Sequence, residues 1–229
     1  MLTSLAVAHY RSLLELIVPL GQLNLITGAN GTGKSNLYRA LGLLAATAGG
    51  GQGLTPSLAR EGGLNATLWA GPEQLSRSMR RAEAPVQGGP RKGPVRLSLG
   101  FAGEDLSYAI SVGVPAPSGS AFALDPEIKR EAIWSGPIYR PAACLVDRNG
   151  RVATIKQGRR WETVSSHMNP FETMFSQIAD PTRAPEVLHL RETIRQWRFY
   201  DHFRTDPGAP ARLPQIGTRT PVLSHEGAD

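Results

Sequence analysis

The chain has 229 residues, 41% of them hydrophobic, enough for one large domain or two small ones, and no apolar run approaches the roughly 18 residues of a membrane span. A formal charge of +6 and a pI near 9.9 favour anionic partners, nucleotides and nucleic acid included, without selecting among them. Cys144 is the single cysteine and reads as a small apolar residue, which excludes a disulfide framework or a cysteine-based zinc site; Met1-Leu2-Thr3-Ser4 lacks the basic start of a secretory signal, so the expected place is the cytoplasm.

Leu2 to Ala8 and Leu14 to Pro19 are short apolar or alternating runs, and Leu23 to Thr27 is a third that ends at Gly28; all three read as strands. From Ser35 to Ala48 the residues Leu37, Ala40, Leu41 and Leu44 recur at helical spacing until Gly49-Gly50-Gly51 ends the run. Residues 51–93 are rich in glycine and proline, with a short helix expected around Pro72 to Arg81. The nearest thing to a basic patch lies here, in Arg77, Arg80, Arg81, Arg91, Lys92 and Arg96. It reads as a solvated loop in preference to a nucleic-acid contact, since phosphate binding needs clustered cations but little else.

Two hairpins follow. Val95 to Phe101 and Leu106 to Val114 alternate around Gly103-Glu104-Asp105, and Ala142 to Val146 joins Val152 to Ile155 through Asp147-Arg148-Asn149-Gly150, where an Asn-Gly pair accepts the positive φ of a tight turn. Beyond Pro170 the pattern turns helical, with Val187, Leu190, Ile194 and Trp197 at spacings of three and four. That stripe is core, and Trp197, Phe199 and Tyr200 read as core in preference to a base-stacking platform. The tail, Thr205 to Asp229, carries Pro207, Pro210, Pro214 and Pro221 and reads as loop.

The chemistry sits in Gly28-Ala29-Asn30-Gly31-Thr32-Gly33-Lys34-Ser35, which fits the phosphate-binding pattern G-x-x-x-x-G-K-[ST] without a mismatch. Glycines let the backbone curl so that successive N–H groups point at phosphate oxygens, with Asn30 to Ser35 forming the cradle. Lys34, the residue given a catalytic role, brings positive charge to the β- and γ-phosphates, and the Ser35 hydroxyl can ligate Mg²⁺. The helix that begins at Ser35 adds its positive end. The expected ligands are ATP and Mg²⁺.

The flanks narrow this. Tyr10-Arg11-Ser12, Leu23 to Ile26 running into Gly28, Asn30-Gly31 inside the loop and Ser35-Asn36-Leu37 opening the helix resemble the N-terminal signature of ATP-binding-cassette-type heads of the SMC and RecF group, with the bacterial AAA-family ATPases related to them. The resemblance is specific over about the first 45 residues and weaker in "REGGLNATLWAG", "IRQWRFYDHFR" and "GTRTPVLSHEGAD". It implies that Arg11 lies near the nucleotide and that Asn36 belongs to the same site. It also implies a head that sandwiches ATP against a second head, with DNA a frequent partner in the group and phage defence another role there.

Hydrolysis in that group further needs an apolar strand ending in Asp-Glu and a signature loop that reaches a partner's γ-phosphate. "AACLVD", Ala142 to Asp147, is the nearest match, yet Arg148 follows where Glu belongs, so Asp147 reads as a turn residue ahead of a magnesium partner. Glu104-Asp105 is a turn, and Ser118-Gly119-Ser120 lies in a proline-rich link. His9, His167, His189, His202 and His225 show no close metal-ligand spacing, and Ser12, Ser165 and Ser224 lack a G-x-S-x-G frame. A small-molecule kinase, whose arginine-bearing lid Arg77 to Arg81 could imitate, fits poorly because kinase cores continue with alternating strand and helix.

The expected fold is α/β, a P-loop NTPase core with an antiparallel β region and a helical segment, its parallel sheet incomplete. Residues 1–60 form the nucleotide-binding core, 61–165 the mainly antiparallel region, and 166–229 a helical segment and tail leading to a missing C-terminal half. The expected partners are that half or a second head in a homodimer. A nucleotide-dependent binding module without turnover is the alternative.

Overall fold

In the computed structural model β1 (Leu2–Tyr10) and β2 (Leu13–Pro19) form the opening hairpin, and eight strands follow one another in a single sheet of order β2-β1-β3-β4-β5-β6-β7-β8. The structure describes residues 1–49, 53–81, 83–86, 88, 93–116, 124–201, 204–214 and 216–217. The further strands are β3 (Leu97–Gly103), β4 (Leu106–Gly113), β5 (Glu127–Ser135), β6 (Cys144–Asn149), β7 (Val152–Gln157) and β8 (Arg160–Ser165). All seven neighbouring pairs are antiparallel. The helices are α1 (Lys34–Ala46), α2 (Leu54–Arg60), α3 (Leu64–Thr67), α4 (Arg77–Arg80), α5 (Met174–Gln177) and α6 (Pro185–Arg195).

Side chains alternate across a strand, so the register decides which residues share a face. One row runs across six strands as Val7, Leu99, Ile110, Glu131, Arg148 and Ala153. The next row is Leu5, Phe101, Tyr108, Ile133, Val146 and Ile155. All twelve are buried, which makes this the core face. The other face is floored by small residues, Ala6, Gly100, Ala109 and Ala132.

Helix α1 contacts β1, β3, α2 and α6, and it buries Leu37, Ala40 and Leu44 as its spacing predicts, with Leu43 buried in place of the expected Leu41, which is half-buried. Each buried leucine contributes about 1.5–3 kcal/mol relative to an exposed one. Its C-terminal end is tied down by polar bonds. The Thr173 hydroxyl donates to the Thr47 carbonyl at 2.6 Å, and Arg195 Nε donates to the Ala48 carbonyl at 3.0 Å.

Two charges stand in the core face. Arg148 and Glu131 are both fully buried and meet at 2.7 Å from Nη1 to Oε2. The Tyr108 hydroxyl donates to Glu131 Oε1 at 2.7 Å, and the Met174 N–H donates to Oε2 at 2.9 Å. Arg148 gives three further protons to the carbonyls of Gly150, Asn169 and Glu172. The network satisfies the buried ions and clamps residues 169–174 onto the sheet.

Several expectations change. Leu23 to Thr27 is not a strand, and Leu23 and Leu25 are 92% and 88% exposed. An apolar segment becomes a strand only when another strand takes its hydrogen bonds, and among the described residues none pairs with it; the sheet observed is antiparallel throughout. Strands β5 and β8 and helices α2 and α3 were not expected. The helix near residue 72 is confined to Arg77–Arg80, and Asp147 lies within β6, where Arg130 Nε donates to it at 3.0 Å.

The chain divides into two compact units, Met1–Arg195 and Gln196–Asp229. Helix α6 ends at Arg195, so Trp197 falls outside the stripe of Val187, Leu190 and Ile194 and is only half-buried. In the second unit Arg204 grips Asp206 at 2.8 and 2.9 Å, and Pro210–Arg212 forms one 3₁₀ turn. Arg91, Lys92, Ser118-Gly119-Ser120 and the closing "TPVLSHEGAD" lie outside the described residues. Among the described residues no helix is long and apolar enough to cross a membrane.

Candidate functional site

Residues 28–33 lead directly into α1, and three glycines shape the passage with φ of 154° at Gly28, 83° at Gly31 and 99° at Gly33. Such angles are open to glycine and strained for other residues, which is why the motif needs glycine here. Gly33 is the N-cap of α1, and the first turn of the helix carries no acidic residue. A helix start without a side-chain cap leaves N–H groups for an anion.

Lys34 curls over the loop, its Nζ donating to the carbonyls of Gly28 at 2.5 Å and Ala29 at 2.6 Å. The Thr32 hydroxyl donates to the Ala29 carbonyl at 2.9 Å. Asn30, Gly31, Thr32 and Ser35 are exposed, so the loop is open to a ligand from outside. The donor set suits a polyphosphate, with N–H groups and one ammonium for the phosphate oxygens and the Ser35 hydroxyl for a magnesium ion. Among the described residues no cluster of three acidic, histidine or cysteine side chains could hold a metal by itself.

The β1–β2 turn forms one wall of the loop. Asn36 Nδ2 donates to Ser12 Oγ at 2.8 Å, and a Cβ on Gly33 would come within 2.9 Å of that oxygen and 3.1 Å of Leu13 Cδ2. Gly33→Ala is accordingly expected to lower stability by about 1–3 kcal/mol, from the left-handed backbone and the contact together; urea denaturation measures it.

Arg11 stands next to Ser12 with its guanidinium on Glu61, Nε at 2.9 Å and Nη2 at 2.6 Å from Oε2. Burial lowers the Arg11 pKa, and the Glu61 carboxylate together with the Tyr10 hydroxyl more than restores it, leaving the net shift upward. The Tyr10 hydroxyl donates to the same carboxylate at 2.7 Å; burial, then the bond to Glu61, pushes the phenol well above its ordinary value. Structure thus brings together Gly28 to Asn36 and Ser12, and it adds Glu61, which sequence reasoning did not single out.

Compared with families of known proteins, residues 23–167 match the family described as "AAA domain, putative AbiEii toxin, Type IV TA system". That span is more than half of the chain. The chain belongs to this AAA domain family. No curated protein matches it closely enough to count as a relative. The AAA domain assignment agrees with a nucleotide-binding, ATPase-like function, and the matched span holds the glycine loop, α1 and strands β3 to β8.

Proposed function

We propose that this AAA domain is the nucleotide-binding part of an SMC/RecF-like ATPase head that holds Mg-ATP at Gly28 to Ser35. One observation carries the reading: a loop bent by three positive-φ glycines ends at the uncapped start of a 13-residue helix, with the Lys34 ammonium over it. In this reading the N–H groups of Asn30 to Ser35 and the Lys34 ammonium bind the phosphates. The Ser35 hydroxyl holds magnesium, whose chemistry is to draw charge from the phosphate oxygens. Asn36 fixes Ser12 against the loop, and Arg11 lines the same mouth.

Turnover in this reading needs an acidic strand and a signature loop supplied from outside residues 1–229, by a C-terminal half or a partner head. The exposed Leu23, Leu25 and Ile26 support it, since an apolar segment leading into the loop, with no strand paired to it among the described residues, offers such a surface to a neighbouring strand. ATP held between two heads would close them and hydrolysis would open them. The net charge of +6 supports an anionic partner, DNA included.

The second reading, a nucleotide-dependent binding module without turnover, draws on Asp147, the acid nearest to the group's pattern, which is engaged by Arg130 within an antiparallel pair. Phosphate release from saturating Mg-ATP tests both. Binding without release is expected of these 229 residues alone, and sustained release would refute the claim that the catalytic carboxylate lies elsewhere.

A further inference from the structure

Glu61 sits where α2 stops, and the turn around it is built so that it faces the glycine loop's wall. Gly62 and Gly63, with φ of 96° and 86°, reverse the chain, and the Gly63 N–H donates back to the Leu58 carbonyl at 2.8 Å. The chain then returns through α3 to lie along the end of β1. The Arg11 N–H donates to the Thr67 carbonyl at 2.7 Å, the Trp69 N–H donates to the His9 carbonyl at 2.9 Å, and Tyr10 bridges to Leu68.

This grip falls on a strained piece of backbone. His9 and Arg11 have φ of 59° and 48°, in the left-handed region that costs non-glycine residues free energy and persists where surroundings over-determine it. Tyr10, between them, is fully buried, and its hydroxyl reaches both oxygens of Glu61 at 3.0 and 2.7 Å. Arg11 reaches the same carboxylate twice. One acidic side chain therefore accepts the single Tyr10 hydroxyl proton and two Arg11 protons, from consecutive residues of the turn whose next residue, Ser12, lies against Gly33 and Asn36.

We infer that Glu61 is a positioning residue for nucleotide binding: it holds the Tyr10-Arg11-Ser12 turn against the N-terminus of α1 so that Arg11 and the phosphate loop face the same ligand. The inference rests on the nucleotide-binding reading above. Without the carboxylate the Tyr10 hydroxyl is buried without its acceptor, Arg11 loses its anchor, and the strain at His9 and Arg11 is left to the backbone bonds with Thr67 and Trp69.

The test is a titration with a fluorescent mant-ATP probe and magnesium, with circular dichroism as the check of folding, on the wild type and on Glu61→Ala, Glu61→Gln, Arg11→Ala and the Arg11→Ala/Glu61→Ala double variant. Glu61→Ala is expected to weaken binding about tenfold, and Glu61→Gln, which keeps an acceptor and the shape, about threefold. The double variant is expected to bind as Arg11→Ala does, because both act through one contact. A merely structural glutamate would shift the unfolding midpoint without this non-additivity. Wild-type affinity in folded Glu61→Ala, or losses that multiply in the double variant, overturns the inference. Should Glu61→Ala not fold, Glu61→Gln decides, and wild-type affinity there overturns it equally. No binding by the wild type would instead sink the nucleotide reading, and this inference with it.

Discussion

Replacing Arg148 by methionine is expected to lower stability by about 3–5 kcal/mol, the largest loss of any single change considered, because it leaves the Glu131 charge buried without its counter-ion. The carbonyls of Gly150, Asn169 and Glu172 lose the Arg148 donor in the same step, those of Asn169 and Glu172 keeping Gln177 Nε2. In the wild type, burial pushes the Glu131 carboxyl up while the Arg148 charge and the bonds from Tyr108 and Met174 oppose it. Removing Arg148 frees the upward push. A carboxyl whose folded pKa is raised contributes its stability in full below the unfolded value, near 4.5, and loses it as pH rises through the folded value. The deficit of the variant should thus be greatest near neutral pH and shrink as pH falls toward the ordinary carboxylate range. Urea denaturation at both ends of that window measures it. A deficit that is small, or the same at both ends, would show that the pair does not hold residues 169–174 and the end of α1 in place.

Lys34→Ala carries the largest expected effect on function. A charge-assisted bond to phosphate contributes about 1.5–3 kcal/mol, so its loss should weaken nucleotide binding by about ten- to a hundredfold. The side chain is bonded to the exposed loop carbonyls of Gly28 and Ala29, not to the core, so the unfolding midpoint should move little. Equilibrium titration beside a thermal melt separates the two. Unchanged affinity would remove Lys34 from the site.

The glycine loop and α1 were legible because each residue type is dictated by a local requirement, positive φ at the glycines and a leucine stripe on the helix. Strands β1 to β4, β6 and β7 were legible from alternation, although the turn expected over Asp147 to Gly150 falls at Gly150 and Arg151, with Asn149 still in β6. Strand β5 was not, because Glu131 stands at a core position and breaks the apolar pattern, and only its pairing with Arg148 across the sheet explains it. Leu23 to Thr27 failed in the opposite way, since its pattern is that of a strand while its partner is a non-local matter that no local pattern carries. Helices α2 and α3 hid in a glycine-rich segment where the same glycines that suggest loop serve to reverse the chain at Gly62 and Gly63. Glu61 itself had no signal beyond its place in "REGGLNATLWAG"; its role depends on Tyr10 and Arg11, 50 residues or more away.

Calorimetric titration of Mg-ATP into the 229-residue protein tests the central claim most directly. One nucleotide bound per chain is expected, with binding lost or greatly weakened in Lys34→Ala. The absence of binding heat, confirmed by the absence of any ATP-dependent shift in the unfolding midpoint, would contradict it.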